Sequence, residues 1–244
     1  MIRKHFNDVI FDGKALSDFG VHVSGEGTFT TPEKIFETVE VPGRHGDLLI
    51  DSGRFENVSV TYPAFIFDDF RVNMRALRGY LLSRNGYCKL EDSYHPDEFR
   101  LAYYKEAFDP EVTLLQAGTF DLTFECKPQR WLKEGQNWII DLAGTGKIFN
   151  PTYFEALPII RIYGNGTITV GTGGSIKVTG NSNAYLDVDC TTMDAYFGST
   201  LLNDKTTYTF TEKKSEIFIP SGESTITLGS GITRVMIMPR WWTI

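Results

Sequence analysis

The sequence predicts a mainly β chain of two domains, with one α-helix confined to the first. Three observations carry this prediction. Apolar and polar residues alternate with period two in many short runs, most strictly at Ser175–Thr179, Tyr185–Asp189 and Thr225–Leu228. One stretch alone, around residues 68–84, holds apolar residues at helical spacing. Composition then shifts near residue 130: charged residues number 36 in residues 1–130 and 19 in residues 131–244, while threonines number 8 and 17. Fewer charges and more threonine suit a region built of half-buried strands.

Strands are predicted in the first domain at Asp8–Phe11, Val21–Val23, Phe36–Val41, Asp47–Phe55, Val58–Tyr62, Lys89–Glu91, Arg100–Phe108 and Gly118–Cys126. The helix is predicted from Asp68 or Asp69 to Arg84. Phe70, Met74, Leu77 and Leu81 share one face at about 100° per residue. Asp68 and Asp69 are candidate N-terminal caps, and Asn85-Gly86 supplies a left-handed stop. Arg71, Arg75 and Arg78 flank the apolar stripe. They read either as a solvated flank or as a subunit contact, since arginine forms forked bonds to carboxylates.

In the second domain strands are predicted at Leu157–Tyr163, Thr167–Val170, Ser175–Thr179, Tyr185–Cys190, Thr206–Thr211, Glu216–Ile219, Ser224–Leu228 and Ile232–Met238. A loop at Asn150-Pro151-Thr152 leads in. Gly164-Asn165-Gly166 reads as the tight turn of a first hairpin, because Gly and Asn tolerate positive φ. Glycine-rich turns separate the strands, no helical pattern intervenes, and an antiparallel β-sandwich follows. The domain boundary falls at 130: residues 1–130, then 131–244.

The totals exclude several functions. A net charge of −7 argues against nucleic acid as a primary partner. No run reaches a membrane-spanning length, so no membrane insertion is expected, and residues 1–8 lack the apolar stretch of a signal peptide. Cys88, Cys126 and Cys190 are odd in number and far apart, which suits buried thiols in a reducing compartment. His5, His22, His45 and His95 have no partner at metal-ligand spacing. Gly144-Thr145-Gly146-Lys147 lacks the remaining glycine and the hydroxyl of a phosphate loop and reads as a turn. There is no Gly-x-Ser-x-Gly elbow. No catalytic residue, metal or cofactor is expected.

The segment Val41-Pro42-Gly43-Arg44-His45-Gly46-Asp47 stands between two strand-like runs and reads as the tip of a projecting hairpin. Ile35, Phe36, Val39 and Val41 on one strand, with Leu48, Leu49, Ile50 and Phe55 on the other, offer more apolar surface than two strands can bury. The hairpin is either an ordinary surface feature or an arm that lies on a neighbouring subunit.

These pieces stand in an order that resembles the distal tail protein family of long-tailed phages. Pro42-Gly43-Arg44-His45-Gly46-Asp47 is similar to that family's Pro-Gly-Arg-x-Gly signature. Leu77-Arg78-Gly79-Tyr80-Leu81-Leu82 resembles the end of its single helix, and Tyr87-Cys88-Lys89-Leu90 the strand after it. Phe124 to Trp131, Asn150 to Gly166 and Met236 to Trp241 resemble its closing strand, the start of its C-terminal domain and its last strand. The resemblance implies a structural virion protein at the tail tip, present in the host cytoplasm during assembly, and not an enzyme. It implies a homo-oligomer, a hexameric ring built by the N-terminal domain with the hairpin as a belt. It also implies a galectin-like C-terminal domain. Partners implied are the tail tube protein, the tail-tip or tail-associated protein, and receptor-binding or baseplate proteins. The second domain holds no histidine, and its tryptophans lie at its ends, which favours protein docking over sugar binding. The alternative is a carbohydrate-binding module using aromatics such as Tyr185, Tyr196 and Phe197.

Overall fold

The structure is a computed structural model that describes residues 7–24, 29–107, 110–114, 117–212 and 214–244. It is mainly β, with one α-helix and short 3-10 turns. The chain divides into two compact units: residues 1–130 with Ile244, and Trp131–Thr243.

The first unit holds strands β1 (Val9–Phe11), β2 (Lys14–Ala15), β3 (Val21–Val23), β4 (Lys34–Val39), β5 (Leu48–Phe55), β6 (Val58–Ile66), β7 (Cys88–Asp92), β8 (Glu98–Tyr103), β9 (Glu111–Leu114) and β10 (Ala117–Leu132), with helix α1 (Phe70–Leu82) after β6. Its main sheet runs in the order β2-β1-β7-β8-β10-β6-β3, with β9 added to β10. β6 shows why it forms. Val58, Val60, Tyr62, Ala64 and Ile66 are buried and the residues between them are not, so every second side chain enters the core. The strand runs through Pro63 to Ile66, past the predicted end at Tyr62. Pro63 is tolerated because its missing N–H faces the end of β3, where only Ser24 reaches its carbonyl.

Helix α1 buries the predicted face, Phe70, Met74, Leu77 and Leu81, against this core. Its ends differ from expectation. Asp69 is itself left-handed, at φ 51°, and neither it nor Asp68 caps the helix with its side chain. The Asp69 carbonyl instead accepts the N–H groups of Val72 and Asn73. Gly86 is left-handed, at φ 74°, but lies beyond the last helical turn, which closes at a right-handed Ser83. Gly118 on β10 is the contact point for the helix start. A Cβ there would stand 2.6 Å from the Phe70 ring.

The second unit holds β11 (Ile140–Leu142), β12 (Gly146–Asn150), β13 (Ile159–Gly164), β14 (Gly166–Val170), β15 (Ser175–Val178), β16 (Leu186–Asp189), β17 (Asp194–Phe197), β18 (Thr200–Leu201), β19 (Thr206–Thr209), β20 (Gly222–Leu228), β21 (Ile232–Met238) and β22 (Trp242–Thr243). Six strands pair in the order β11-β21-β13-β16-β17-β18 and five in the order β12-β20-β14-β15-β19. Ile160, Ile162, Leu186 and Val188 of the first sheet share one buried cluster with Ile168, Val170, Ile176 and Ile226 of the second. This is a two-sheet antiparallel sandwich.

Four expectations need correction here. The Gly164-Asn165-Gly166 turn is not a hairpin. β13 pairs with β16 and β21, while β14 pairs with β15 and β20, so the turn carries the chain from one sheet to the other. The glycines serve close packing: a Cβ on Gly164, whose φ is 101°, would stand 2.2 Å from the Gly231 carbonyl oxygen. Asn165 fixes the corner by exchanging side-chain bonds with the Asn181 backbone at 2.7 and 2.9 Å. Glu216–Ile219 forms no strand beyond a bridge between Ala156 and Ile219, although Ile217 and Ile219 are fully buried. It is pinned against the turn at Gly173, where a Cβ would collide with the Phe218 carbonyl. Gly146 and Lys147, read as part of a turn, begin β12. The predicted strand ending at Phe108 ends at Tyr103, and Phe108 lies outside the described residues, as do Met1 to Phe6, including His5.

Gly164→Ala should destabilise the second unit by about 2 kcal/mol or more, from left-handed strain and the carbonyl clash together. Urea unfolding followed by tryptophan fluorescence measures it, and an unchanged midpoint would refute the close-packing account.

Candidate functional site

The feature with the least cover in the first unit is the β4–β5 hairpin. Its strands pair with each other and with no other strand among the described residues. The paired strands are Lys34–Val39 and Leu48–Phe55, so Val41 and Asp47, predicted as strand ends, lie in the turn. Within that turn Gly43 and Gly46 are left-handed, at φ 77° and 76°, and the Arg44 N–H donates to the Val41 carbonyl at 3.1 Å. At the base the ladder carries a bulge. Ser52 Oγ donates to the Ile35 carbonyl at 2.7 Å and the Gly53 N–H to Asp51 at 2.8 Å. The hydrogen bond from Lys34 holds the Asp51 carboxyl below its ordinary range.

This ribbon exposes apolar side chains on both faces. Leu49 is 58% exposed, and Phe36, Val39, Leu48 and Ile50 are exposed with it. Pro42, Gly43, Arg44 and His45 are exposed at the tip, and Val41 is half-buried. On the helix, Arg71, Arg75 and Arg78 are all exposed, beside an exposed Val72. Among the described residues no ion pair engages these three arginines or Arg44, and no hydrogen bond joins the hairpin to the helix. Each group presents itself to solvent separately.

Sequence reasoning missed the polar interior of the first unit. Tyr62 donates to Asp92 at 2.8 Å, and Asp92 also accepts the backbone N–H groups of Tyr94 and His95. Arg130 reaches Glu98 at 3.3 Å, and Arg100 donates to the Thr30 carbonyl at 3.3 Å. Arg100 and Arg130 are both buried. The cavity they line measures about 10 Å³, space for about one water molecule and none for a substrate. No alternation or motif marks these residues, because they meet only through sheet register.

The thiols are quiet. Cys126 and Cys190 are buried, and Cys88 is only half-buried, a correction to the expectation for that residue. Burial pushes the Cys126 thiol up to about 12 and raises the other two. No cluster of His, Cys, Asp and Glu that could hold a metal is present among the described residues. No helix among them is long and apolar enough to cross a membrane.

The outer face of the six-stranded sheet carries an arginine held on three sides. Arg161 forms a forked pair with the buried Asp187 at 2.7 and 2.8 Å. Its guanidinium lies over the rings of Trp138 and Tyr185, at 4.7 and 4.0 Å. The Asp187 hydrogen bond raises the Arg161 pKa. Tyr185 also packs on Phe197 at 4.9 Å, so these rings are engaged with one another rather than lying free as a sugar platform. Nearby, Arg240 binds Asp189 and the carbonyl of Leu157. Burial acts to raise the Asp189 pKa, but the bonds from Arg240 and Thr191 outweigh it and hold it low.

No known protein-family profile matches the chain, and no curated protein matches it. Solved structures do. One is the crystal structure of the SPP1 Dit protein, described as a paradigm of the hub adsorption apparatus in phages infecting Gram-positive hosts. It superposes with a TM-score of 0.73 at 14% identity, over 98% of this chain and 99% of that one.

Asp189→Asn should weaken the second unit at neutral pH. A depressed folded-state pKa contributes stability above the unfolded value of about 3.9, and loses it as pH falls through the folded value. The gap between variant and wild type in urea midpoint should therefore close below about pH 4. A gap independent of pH would refute the ionic contribution. The chain thus has the fold of the SPP1 Dit protein from end to end, the fold that its resemblance to phage distal tail proteins implies.

Proposed function

We propose that this chain is a structural protein of the distal tail of a long-tailed phage, acting as an oligomeric hub at the tail tip. The observation that carries the reading is the end-to-end likeness to the SPP1 Dit protein, in a chain that carries an uncovered two-stranded arm. In this reading the first unit closes into a hexameric ring, and the arm lies on the next subunit as a head-to-tail contact. Phe36, Val39, Leu48, Leu49 and Ile50, which stand on both faces of the arm, are then covered. Each side chain gains on the order of 1 kcal/mol by leaving water. Arg44 at the tip, and Arg71, Arg75 and Arg78 on the helix, meet carboxylates of the neighbour. Residues 1–130, with their excess of acidic side chains, supply these.

The ring joins the tail tube to the tail tip, with receptor-binding or baseplate proteins held by the second unit. That unit is read as a galectin-like domain that docks protein. The mutual packing of Tyr185, Phe197 and Arg161 argues against the alternative of a carbohydrate-binding module.

Leu49→Asp, or deletion of Pro42 to Asp47, should leave a folded chain of smaller assembled mass. Light scattering with circular dichroism decides it. A wild type that stays at 27.6 kDa at high concentration, or variants that assemble as before, would overturn the reading.

A further inference from the structure

We infer that the open side of the second unit's sandwich is a docking groove for an extended, non-acidic segment of a partner protein, which pairs with β12 as a sixth strand of its sheet. This inference does not rest on the ring. β11 ends the six-stranded sheet and β12 ends the five-stranded one, and the two edges lie together across a groove of about 510 Å³. Ile139, Ile140, Leu142, Ile148, Phe149 and Trp241 line it. Phe149 is 68% exposed and Ile139 42%, so the lip of the groove is apolar and uncovered.

The backbone at this edge is turned outward. The Gly171 N–H donates to the Thr225 carbonyl at 2.8 Å, which directs the main-chain groups of Thr225 toward β14. In an antiparallel ladder successive residues face opposite neighbours. Ser224 and Ile226 therefore face β12, where they oppose Ile148 and Gly146. Lys147 and Phe149, opposite Thr225 and Glu223, direct their N–H and C=O groups to the open side. An edge strand is commonly blunted by a free lysine or by proline. Here Lys147 is held by Glu223 at 2.7 Å, and β12 contains no proline.

The flanking charges define the occupant. Lys147 is matched by Glu223, and Asp141 by a forked pair with Arg234. Glu134, exposed at the groove, is the one lining charge with no ion pair among the described residues, which excludes an acidic segment, and the apolar lip and main-chain donors and acceptors ask for a partner. An extended strand with apolar residues on alternate positions answers both needs. The five residues of β12 give it an edge of about 17 Å, at roughly 3.4 Å per residue.

The test is selection of a random 12-residue displayed peptide library on the full chain. Enriched peptides should alternate apolar with non-acidic residues and slow amide exchange at Lys147 and Phe149. Phe149→Pro removes an outward N–H and leaves the inward ladder intact, so it should weaken these peptides at least about tenfold, or 1.4 kcal/mol. Phe149→Thr, which keeps the main-chain edge, should cost less. Protection of Ile148 reports whether the proline variant is folded. If it is not, peptides N-methylated at the pairing positions should bind the wild type at least about tenfold more weakly. The proposal is overturned by failure to enrich any peptide, or by binders that ignore both the proline and the N-methyl groups. It is also overturned if Phe149→Pro alone lowers the assembled mass, which would make the occupant a second copy of the chain.

Discussion

A two-stranded ribbon has no interior, and that constraint governs how this molecule is read. Each of the two compact units closes a core of its own, the first by laying α1 on its sheet and the second by facing two sheets. The β4–β5 hairpin does neither. Its ladder satisfies half of its main-chain groups, and the other half, with Leu48, Leu49 and Ile50, are left at its faces and edges. Isolated hairpins of this kind are marginal in water. The bulge at Gly53 and the Lys34–Asp51 pair stiffen the base of the arm but cover none of it. Exposed pairs of this type contribute little. In the reading proposed above, a second copy of the chain supplies the cover that the arm lacks.

The second unit solves a different problem. Its two sheets must exchange the chain at corners, and polar side chains fasten those corners. Asn165 and Asn181 hold one; Asn150 holds another through Thr152 and Phe154. The outer face of the six-stranded sheet is tied by Arg161 with Asp187 and Arg240 with Asp189. These forked pairs fix register across strands more than they add net stability. A sandwich fastened in this way holds its edge strands, β12 among them, in fixed register.

Much of this was legible in the sequence. Alternation gave the interior of β15 and β20, with Ile176, Val178 and Ile226 buried, and the helical stripe gave the buried face of α1 residue by residue; in β16 the alternation breaks at the buried Asp187. The arm was visible as two apolar runs around Pro42-Gly43. What failed was whatever depends on contacts distant in sequence. Gly164-Asn165-Gly166 has the composition of a hairpin turn, but which sheet each flanking strand joins is decided by β16 and β20. Residues 216–219 carry the apolar run of a strand, yet Gly173 holds them as buried coil. Asp92, Arg100 and Arg130 carry no local signal, because their environment exists only once β7, β8 and β10 are side by side. Asp69 could not be read as left-handed, since its preference for a cap is real and here simply unused.

The central claim is that the arm is covered by another copy of the chain. Amide hydrogen exchange of Leu48, Leu49 and Ile50, measured in the assembled protein and again after dilution to monomer, tests it most directly. The account predicts protection comparable to β6 in the assembly and exchange within seconds to minutes in the monomer. Rapid exchange at these amides in both states, with β6 protected throughout, would contradict it.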